Sequence, residues 1–278
     1  MVSFPNCKIN LGLHIVEKRL DGYHNLETVF YPILLKDALE VIPYYTATYQ
    51  QQNNSKIEFS QSGIQIDGDA SNNLCVKAYH LLSKDFPTLP AAKMHLHKFI
   101  PMGAGMGGGS ADGAFALSML NEVFHLQLTE AQLLGYALAL GSDCPFFIIN
   151  KPCFATGRGE QLQPIELDLS AYHIVIVNPQ IHINTGWAFS QIVPQQPIIS
   201  ILDIVKSPVG NWKHQLINDF EQPAEKQFPA IADIKNELYH QGAIYSAMTG
   251  SGSTVFGLFE KHTHFKNTFP SQYFVFQS

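Results

Sequence analysis

A glycine-rich segment at residues 103–109 constrains this chain more than any other part of its sequence. Five of these seven residues are glycine, so the backbone can adopt left-handed conformations and pass close to a ligand. Ser110 follows and is a favourable N-cap residue, so we predict a helix from there to about Leu120. The unpaired N–H groups and positive dipole end of such a helix attract phosphate. The segment therefore predicts a phosphate site, and the alternative is a flexible turn between a strand and a helix.

The glycine loop differs from two familiar phosphate-binding motifs. A P-loop has a lysine and a hydroxyl residue directly after its last glycine, but here Ser110 follows without a lysine. Gly103, Gly105 and Gly108 satisfy the dinucleotide pattern G-x-G-x-x-G. That pattern also needs an acidic residue at the end of a second strand, whereas the region around Thr129 opens a helix. The glycine loop therefore matches neither motif in full. Its predicted phosphate-binding residues are Pro101, Gly103, Gly105, Met106, Gly107, Gly108, Gly109 and Ser110.

The overall composition argues against several classes of function. Charged residues make up 14% of the 278 residues, and the formal net charge is −6 without any basic run, which argues against a nucleic-acid partner. No apolar stretch approaches the about 18 residues of a membrane span, and the first residues contain no secretory signal. We therefore expect a cytoplasmic protein that has no membrane partner.

The cysteines and histidines give no metal-binding pattern. The four cysteines are far apart in sequence, which predicts reduced thiols and neither a disulfide framework nor a zinc site. His95 and His97 share a face of a predicted strand, but no third ligand is indicated. We expect no dedicated metal site.

Strand and helix patterns are mixed along the chain. Residues 7–15 alternate between apolar and polar, which predicts a half-buried strand with Lys8 and Asn10 on one face. Thr129 and Gln132 form a capping box, which predicts a helix that Gly141 ends. Further predicted strands cover residues 26–33, 94–99, 173–178, 245–248, 254–259 and 273–276. Further helices are predicted at residues 72–83 and after Pro229, the latter ended by Gly242.

The irregular order of these elements predicts an α+β fold, because a doubly wound sheet requires regular strand–helix alternation. Proline and glycine cluster at residues 151–159. We therefore predict a domain boundary there, with one domain at 1–152 and another at 153–278.

Five blocks in the same order as in a known family extend over nearly the whole chain. The glycine loop is the third block, and the others are residues 7–13, 21–28, 140–147 and 249–256, the last preceded by residues 218–221. With these blocks the chain resembles the GHMP kinase superfamily. The block at residues 21–28, D-G-Y-H-x-L-E-T, is similar to the branch whose substrate is a methylerythritol linked to cytidine diphosphate. Ala111 is a departure, since the family often has a second serine there.

The resemblance implies both a fold and an activity. The fold is an N-terminal α/β domain like ribosomal protein S5 domain 2, with a left-handed βαβ unit, and a C-terminal ferredoxin-like domain, with the active site in the cleft between them. The activity is ATP-dependent phosphorylation of a small-molecule hydroxyl in non-mevalonate isoprenoid biosynthesis, with Mg²⁺ carried by ATP. The protein is expected to be a monomer or a homodimer.

Two charged residues are the candidates for catalysis. Asp143 lies between a helix end and an apolar run, where partial desolvation favours a general base, and the alternative is a helix cap. Lys8 is the matching cation, and its alternative is a solvated surface lysine. No residue combination supports a covalent intermediate, so direct in-line transfer of the phosphoryl group is expected.

Further binding residues are implied by the resemblance. Tyr23 offers a ring on which cytosine can stack, His24 offers ring nitrogens for its edge, and Phe189 would close the other side. Asn10 is expected to bind substrate and Thr185 the diphosphate. Lys98 is expected near the adenine and ribose of ATP. A second glycine turn is expected to border the active site and comprises Gly250, Ser251, Gly252 and Ser253.

Two other functions remain possible at this level. The first is a related kinase that acts on homoserine or mevalonate, which have no base to stack on Tyr23. The second is a nucleotide-binding protein without catalysis, for which retention of both Lys8 and Asp143 would be unnecessary.

Overall fold

The computed structural model describes residues 1–44, 56–66 and 68–278. Its strands are β1 Val2–Ser3, β2 Asn6–Lys18, β3 His24–Lys36, β4 Ala38–Tyr44, β5 Ile57–Gly63, β6 Ala91–Lys98, β7 Cys153–Thr156, β8 Gln161–Pro164, β9 Tyr172–Asn178, β10 Tyr245–Met248, β11 Val255–Glu260 and β12 Phe274–Gln277. Its α-helices are α1 Leu74–Asp85, α2 Gly108–Val123, α3 Glu130–Leu140, α4 Cys144–Ile149, α5 Thr185–Ser190, α6 Ile201–Ile204, α7 Glu221–Gln227 and α8 Pro229–His240. The α+β prediction is confirmed.

The described strands form three four-stranded sheets with the orders β1-β4-β6-β5, β2-β3-β7-β8 and β10-β11-β9-β12. Strands β5 and β6 are parallel and are connected through helix α1, whereas β4 and β6 are antiparallel. A parallel pair needs such a crossover because its two strands run in the same direction. The first sheet therefore contains a βαβ element, and the left hand that the resemblance implies for it stays a prediction.

The chain divides into two compact units, each built from separate segments. One unit comprises Met1–Cys7, Lys36–Met102 and Gly107–Asn150, and the other comprises Lys8–Leu35, Gly103–Met106 and Lys151–Ser278. The glycine loop thus contributes residues to both. The sequence boundary between residues 152 and 153 stays a prediction.

Buried residues in the sheet β10-β11-β9-β12 and in helix α8 form one apolar core. Ile231, Ile234 and Leu238 are on the buried face of α8, as the helical period predicts, and join a core that includes Val175 and Phe259. Burial of such side chains supplies most of the free energy that holds a helix against a sheet. This core supports the strands that flank the second glycine turn.

The predicted strands and helices are found, but two details differ from the prediction. Strand β2 is buried on both faces over most of its length rather than half-buried, because Lys8 and Asn10 on its polar face are covered as well. The second difference is the start of helix α2. The helix begins at Gly108 rather than after Ser110, because Gly107 occupies the N-cap position with a left-handed φ of 69°. Only glycine adopts that conformation without strain, so the cap is made by the backbone. Ser110 is consequently the third residue of the helix. No helix in the described ranges is long and apolar enough to cross a membrane.

Candidate active site

The first half of the glycine loop requires glycine for steric reasons. Gly103 and Gly105 have φ values of 60° and 76°, which residues with a Cβ rarely adopt. A Cβ on Gly105 would lie 2.2 Å from the carbonyl oxygen of Thr249. The loop therefore passes against the second glycine turn at a distance that admits no side chain.

Lys8 and Asn10 lie on one face of β2, as the alternation predicts. The Nζ atom of Lys8 donates to Oδ1 of Asn10 at 2.6 Å and to the carbonyl oxygen of Gly105 at 3.2 Å. The ammonium also lies 4.9 Å from the centre of the Phe30 ring, which favours a cation electrostatically. With an exposed fraction of only 3%, Lys8 is not a solvated surface lysine.

Two threonines that the sequence did not single out as site residues complete this network. Thr249 accepts from the backbone N–H of Asn10 at 2.9 Å, and its Oγ1 lies 3.2 Å from both Oδ1 of Asn10 and the carbonyl oxygen of Gly105. Thr28 accepts from Nδ2 of Asn10 at 3.0 Å and donates to the carbonyl oxygen of Gly12. The available signal was the position of both threonines within the resemblance blocks. The network fixes the amide of Asn10 and the loop carbonyl together.

The second glycine turn is held by a buried asparagine. Nδ2 of Asn218 donates to the carbonyl oxygens of Met248 and Gly250 at 2.8 and 2.9 Å. Gly250 and Gly252 have positive φ values of 57° and 93°. Asn218 is therefore a positioning residue that sequence reasoning did not assign.

Two of the residues expected to bind a nucleobase, His24 and Phe189, contact each other directly and leave no space for a base between their rings. The His24 and Phe189 rings are stacked with centroids 4.8 Å apart and planes inclined by 21°. Tyr23 is 56% exposed, and the guanidinium carbon of Arg158 lies 4.9 Å from its ring centre. Partial burial lowers the pKa of His24, and nearby Lys18 has the same effect. A neutral imidazole can both donate and accept hydrogen bonds, as recognition of a base edge requires.

Thr185 lies beside the second glycine turn. It is the first residue of α5, whose N-cap Asn184 accepts from the backbone N–H of Trp187. The hydroxyl oxygens of Thr185 and Ser251 are 3.5 Å apart. These groups form an exposed polar edge, and the hydroxyl of Ser253 instead faces inward and donates to the carbonyl oxygen of Ile181.

The second half of the glycine loop forms the start of helix α2. The N–H of Ala111 bonds to the carbonyl oxygen of Gly107 at 2.9 Å, so the preceding N–H groups have no partner within the helix. Gly108 is buried, and a Cβ on it would lie 2.9 Å from Cγ2 of Ile100. Converging backbone donors and a positive helix end fit the phosphates of a nucleotide.

Lys98 has a different environment from the one expected of a nucleotide-contacting residue. It is 1% exposed, and its Nζ donates to Asp37 and, at 2.8 Å, to Oδ2 of Asp112. Burial by itself lowers the pKa of Lys98, but the two carboxylates outweigh it and raise that pKa. The side chain of Lys98 thus forms ion pairs with Asp37 and Asp112 of its own unit. Contact between Lys98 and ATP stays a prediction.

Asp143 occupies the N-cap position of helix α4, with αR backbone angles and no capping hydrogen bond from its side chain. The next residues of the helix are buried, and Asp143 itself is of intermediate exposure. Lys8 and Asp143 belong to different units, so their pairing stays a prediction. Within the described residues, no group of three His, Cys, Asp or Glu side chains is placed to hold a metal ion.

Substitution of Gly105 by alanine should destabilise the protein. The added Cβ would meet the carbonyl oxygen of Thr249 at 2.2 Å, and the left-handed φ would be strained. We expect the free energy of unfolding to fall by at least about 2 kcal/mol in urea denaturation. Gly135→Ala is the matched control, because nothing lies within 4 Å of its added Cβ. Equal stability of the two variants would contradict the close approach of the loop and the turn.

Comparison with known proteins gives consistent matches over the chain. The family model described as GHMP kinases N terminal domain matches residues 73–151, and the one described as GHMP kinases C terminal matches residues 208–269. A 4-diphosphocytidyl-2-C-methyl-D-erythritol kinase from Bacteroides fragilis is 53% identical over 93% of this chain and 92% of its own length. The enzyme of the same name from Chlorobium limicola is 37% identical over 92% and 87%.

Solved structures give the same result for the fold. A crystal structure of a 4-(cytidine 5'-diphospho)-2C-methyl-D-erythritol kinase matches with a TM-score of 0.78 and 29% identity, covering 93% of this chain and 90% of that one. A homoserine kinase from Cytophaga hutchinsonii matches with a TM-score of 0.65 and 15% identity, covering 93% and 86%. Because the sequence identity is only 15%, the match to the homoserine kinase shows a similar fold and nothing more.

Proposed function

We propose that this chain, which belongs to the GHMP kinase family, transfers the γ-phosphate of ATP to the 2-hydroxyl of 4-diphosphocytidyl-2-C-methyl-D-erythritol. This reaction is a step of non-mevalonate isoprenoid biosynthesis. The observation that carries the proposal is the 53% identity to the kinase of that name from Bacteroides fragilis over 93% of the chain. The proposal is also supported by the presence of Lys8 and Asp143 and by the aromatic residues Tyr23, His24 and Phe189.

In the proposed reaction the substrate hydroxyl attacks the γ-phosphorus in line with the leaving oxygen. A new oxygen–phosphorus bond forms, the bond to the bridging oxygen of ADP breaks, and the hydroxyl proton passes to the carboxylate of Asp143. Lys8 stabilises negative charge near the transferring group, and Asn10 and the carbonyl of Gly105 hold its ammonium in place. The buried position of Lys8 makes this electrostatic effect stronger than it would be in water.

The glycine loop is proposed to bind the phosphates of ATP. Backbone N–H groups at the start of α2 would donate to phosphate oxygens, and Ser110 adds a hydroxyl at the third position of the helix. Mg²⁺ that enters with ATP would neutralise charge on the β- and γ-phosphates. Small residues are required here because a Cβ at Gly105 or Gly108 would fill the space behind the loop.

The cytidine end of the substrate is proposed to bind at Tyr23, His24 and Phe189. Since His24 lies on Phe189, a base that stacks on Phe189 has to displace the imidazole. Once displaced, the ring nitrogens of His24 can bond to the edge of the base. Thr185, beside Ser251, would donate to the diphosphate.

The proposed function is tested by measuring ADP release from purified protein with ATP, Mg²⁺ and 4-diphosphocytidyl-2-C-methyl-D-erythritol. Homoserine and mevalonate serve as alternative acceptors in parallel reactions. We expect turnover that depends on the cytidine-linked acceptor alone. Turnover with one of the other acceptors, or none with any, would contradict the substrate assignment.

Replacement of Tyr23 by alanine should weaken binding of the acceptor but not of ATP. A base–aromatic stack is worth about 1–3 kcal/mol, so we expect the KM for the acceptor to rise about 5- to 150-fold. The KM for ATP should change less than about two-fold. Leu20→Ala is the matched control, because Leu20 is fully exposed in the same turn region. Equal effects of the two variants on the acceptor KM would rule out stacking on Tyr23.

A further inference from the structure

A buried cluster of three charges lies at the start of helix α2. Lys98 ends β6, Asp37 lies between β3 and β4, and Asp112 is on α2; we call these three residues the Lys98 cluster. The Nζ atom of Lys98 contacts one carboxylate oxygen of each aspartate, at 2.8 Å for Asp112. All three residues are at most 2% exposed. One ammonium and two ionised carboxylates leave the cluster with a net negative charge.

The two aspartates of the cluster differ in their hydrogen bonds. Asp37 accepts from Lys98 and also, through Oδ1, from the backbone N–H groups of Phe99 and Ile100 at 2.6 and 2.8 Å. Asp112 accepts from Lys98 alone, and in the part of the chain that the structure describes its Oδ1 is buried without a partner. A buried carboxylate with fewer donors takes up a proton more readily. The hydrogen bonds in the cluster therefore stabilise the ionised form of Asp112 less than that of Asp37.

The direction of the Asp112 shift agrees with this geometry. Burial raises the pKa of Asp112 to about 7, Asp37 adds to the increase, and Lys98 opposes it. Cys75 of α1 also faces the cluster, but burial raises the pKa of that thiol well above its usual value. The raised pKa of Asp112 thus agrees with its having fewer hydrogen-bond donors than Asp37.

The Lys98 cluster is in contact with the proposed phosphate loop. A Cβ on Gly108, the first residue of α2, would lie 3.1 Å from Nζ of Lys98, so the ammonium is directly behind the loop. Asp112 lies four residues further along the helix, about 6 Å along its axis. A carboxylate at this distance, in a buried setting, weakens the attraction of the helix start for phosphate.

We propose that Asp112 is a positioning residue for ATP: together with Lys98 it fixes the first turns of α2, and its protonation state sets how strongly this helix start holds the phosphates. This inference rests on the proposed function, since it assumes that the glycine loop binds ATP. Protonated Asp112 leaves the cluster neutral and favours binding. Ionised Asp112 adds one negative charge and weakens it.

The expected result is a pH-dependent dissociation constant for MgATP. Between pH 6.0 and 8.5 the Kd of the native protein should rise about three- to ten-fold more than that of Asp112→Asn, with a midpoint near 7. The ratio of the two constants removes the titration of ATP itself, which is common to both proteins. At saturating ATP the kcat of Asp112→Asn should stay within about three-fold of native, because the residue acts on binding. Asp233→Asn, at an exposed position on α8, is the matched control.

Calorimetric titration of MgATP into the native protein and both variants tests the proposal. A constant ratio between native protein and Asp112→Asn across the pH range would overturn it. If Asp112→Asn does not fold, the carboxyl pKa of Asp112 is measured by carbon NMR in the native protein with and without MgATP. By linkage the bound nucleotide should raise this pKa, and an unchanged value would overturn the proposal. Absence of ATP binding to the native protein would instead contradict the proposed function itself.

Discussion

Replacement of Asp143 by asparagine should lower kcat by about 10²- to 10⁴-fold, the usual contribution of a general base. The amide keeps the size of the side chain but cannot accept the proton of the substrate hydroxyl. The dissociation constants for ATP and for the cytidine-linked acceptor should change little, because neither depends on proton transfer. ADP release measures turnover, and calorimetry measures the two dissociation constants.

The matched control for Asp143→Asn is Asp203→Asn. Asp203 is exposed and pairs with the exposed Lys206, so its loss should leave turnover within about two-fold of native. If Asp143→Asn retains native turnover, the base is another group and the proposed roles of Asp143 and Lys8 are wrong. If it loses binding as well as turnover, Asp143 acts in substrate binding rather than in proton transfer.

Replacement of Lys98 by methionine should be among the most destabilising substitutions in the described part of the chain. It leaves the carboxyl groups of Asp37 and Asp112 buried without their shared cation. Removal of one partner from a buried ion pair costs about 3–5 kcal/mol, which we expect as the loss of unfolding free energy in urea at pH 8.5.

The loss should be smaller at pH 5.5. The pKa of Asp112 is raised in the folded protein, so folding favours the protonated form of this carboxyl group. The stability that comes from the protonated form is lost as the pH rises towards about 7. Lys98 lowers this pKa, so its removal should raise the pKa of Asp112 further and increase the difference in stability between the two pH values. Lys206→Met is the control, since its ion pair is exposed and contributes at most about 1 kcal/mol. Equal destabilisation of Lys98→Met at the two pH values would show that Asp112 does not titrate in this range.

Local features of the fold were predictable because their causes act over a few residues. The alternation of residues 7–15 predicts strand β2 and places Lys8 and Asn10 on one face, as their 2.6 Å hydrogen bond confirms. The capping box of Thr129 and Gln132 is found as predicted, and Gly141 follows the last residue of α3. The order of the resemblance blocks likewise indicated the GHMP kinase family, which the comparisons confirm.

A strictly local rule also gave an error, at the start of helix α2. Serine is favoured at an N-cap because its side chain accepts a backbone hydrogen bond. In the structure Gly107 occupies that position, since its left-handed φ lets the loop turn directly into the helix. The N-cap preference applies to one residue at a time, whereas the path of the loop depends on what it contacts.

The sequence alone was enough to predict the elements with clear periodicity or caps, such as β2, α3 and α8, and the family, whereas the catalytic roles of Lys8 and Asp143 stay predictions. Tertiary structure alone decided which distant residues meet: Thr249 bonds to Asn10 across 239 positions, and Lys98 to Asp37 across 61. It also decided that His24 lies on Phe189 and that Lys98 is buried in an ion cluster. The physical reason is that periodicity, capping and backbone strain are properties of neighbouring residues. Contacts between distant side chains depend on the strand order and on the packing of the whole unit.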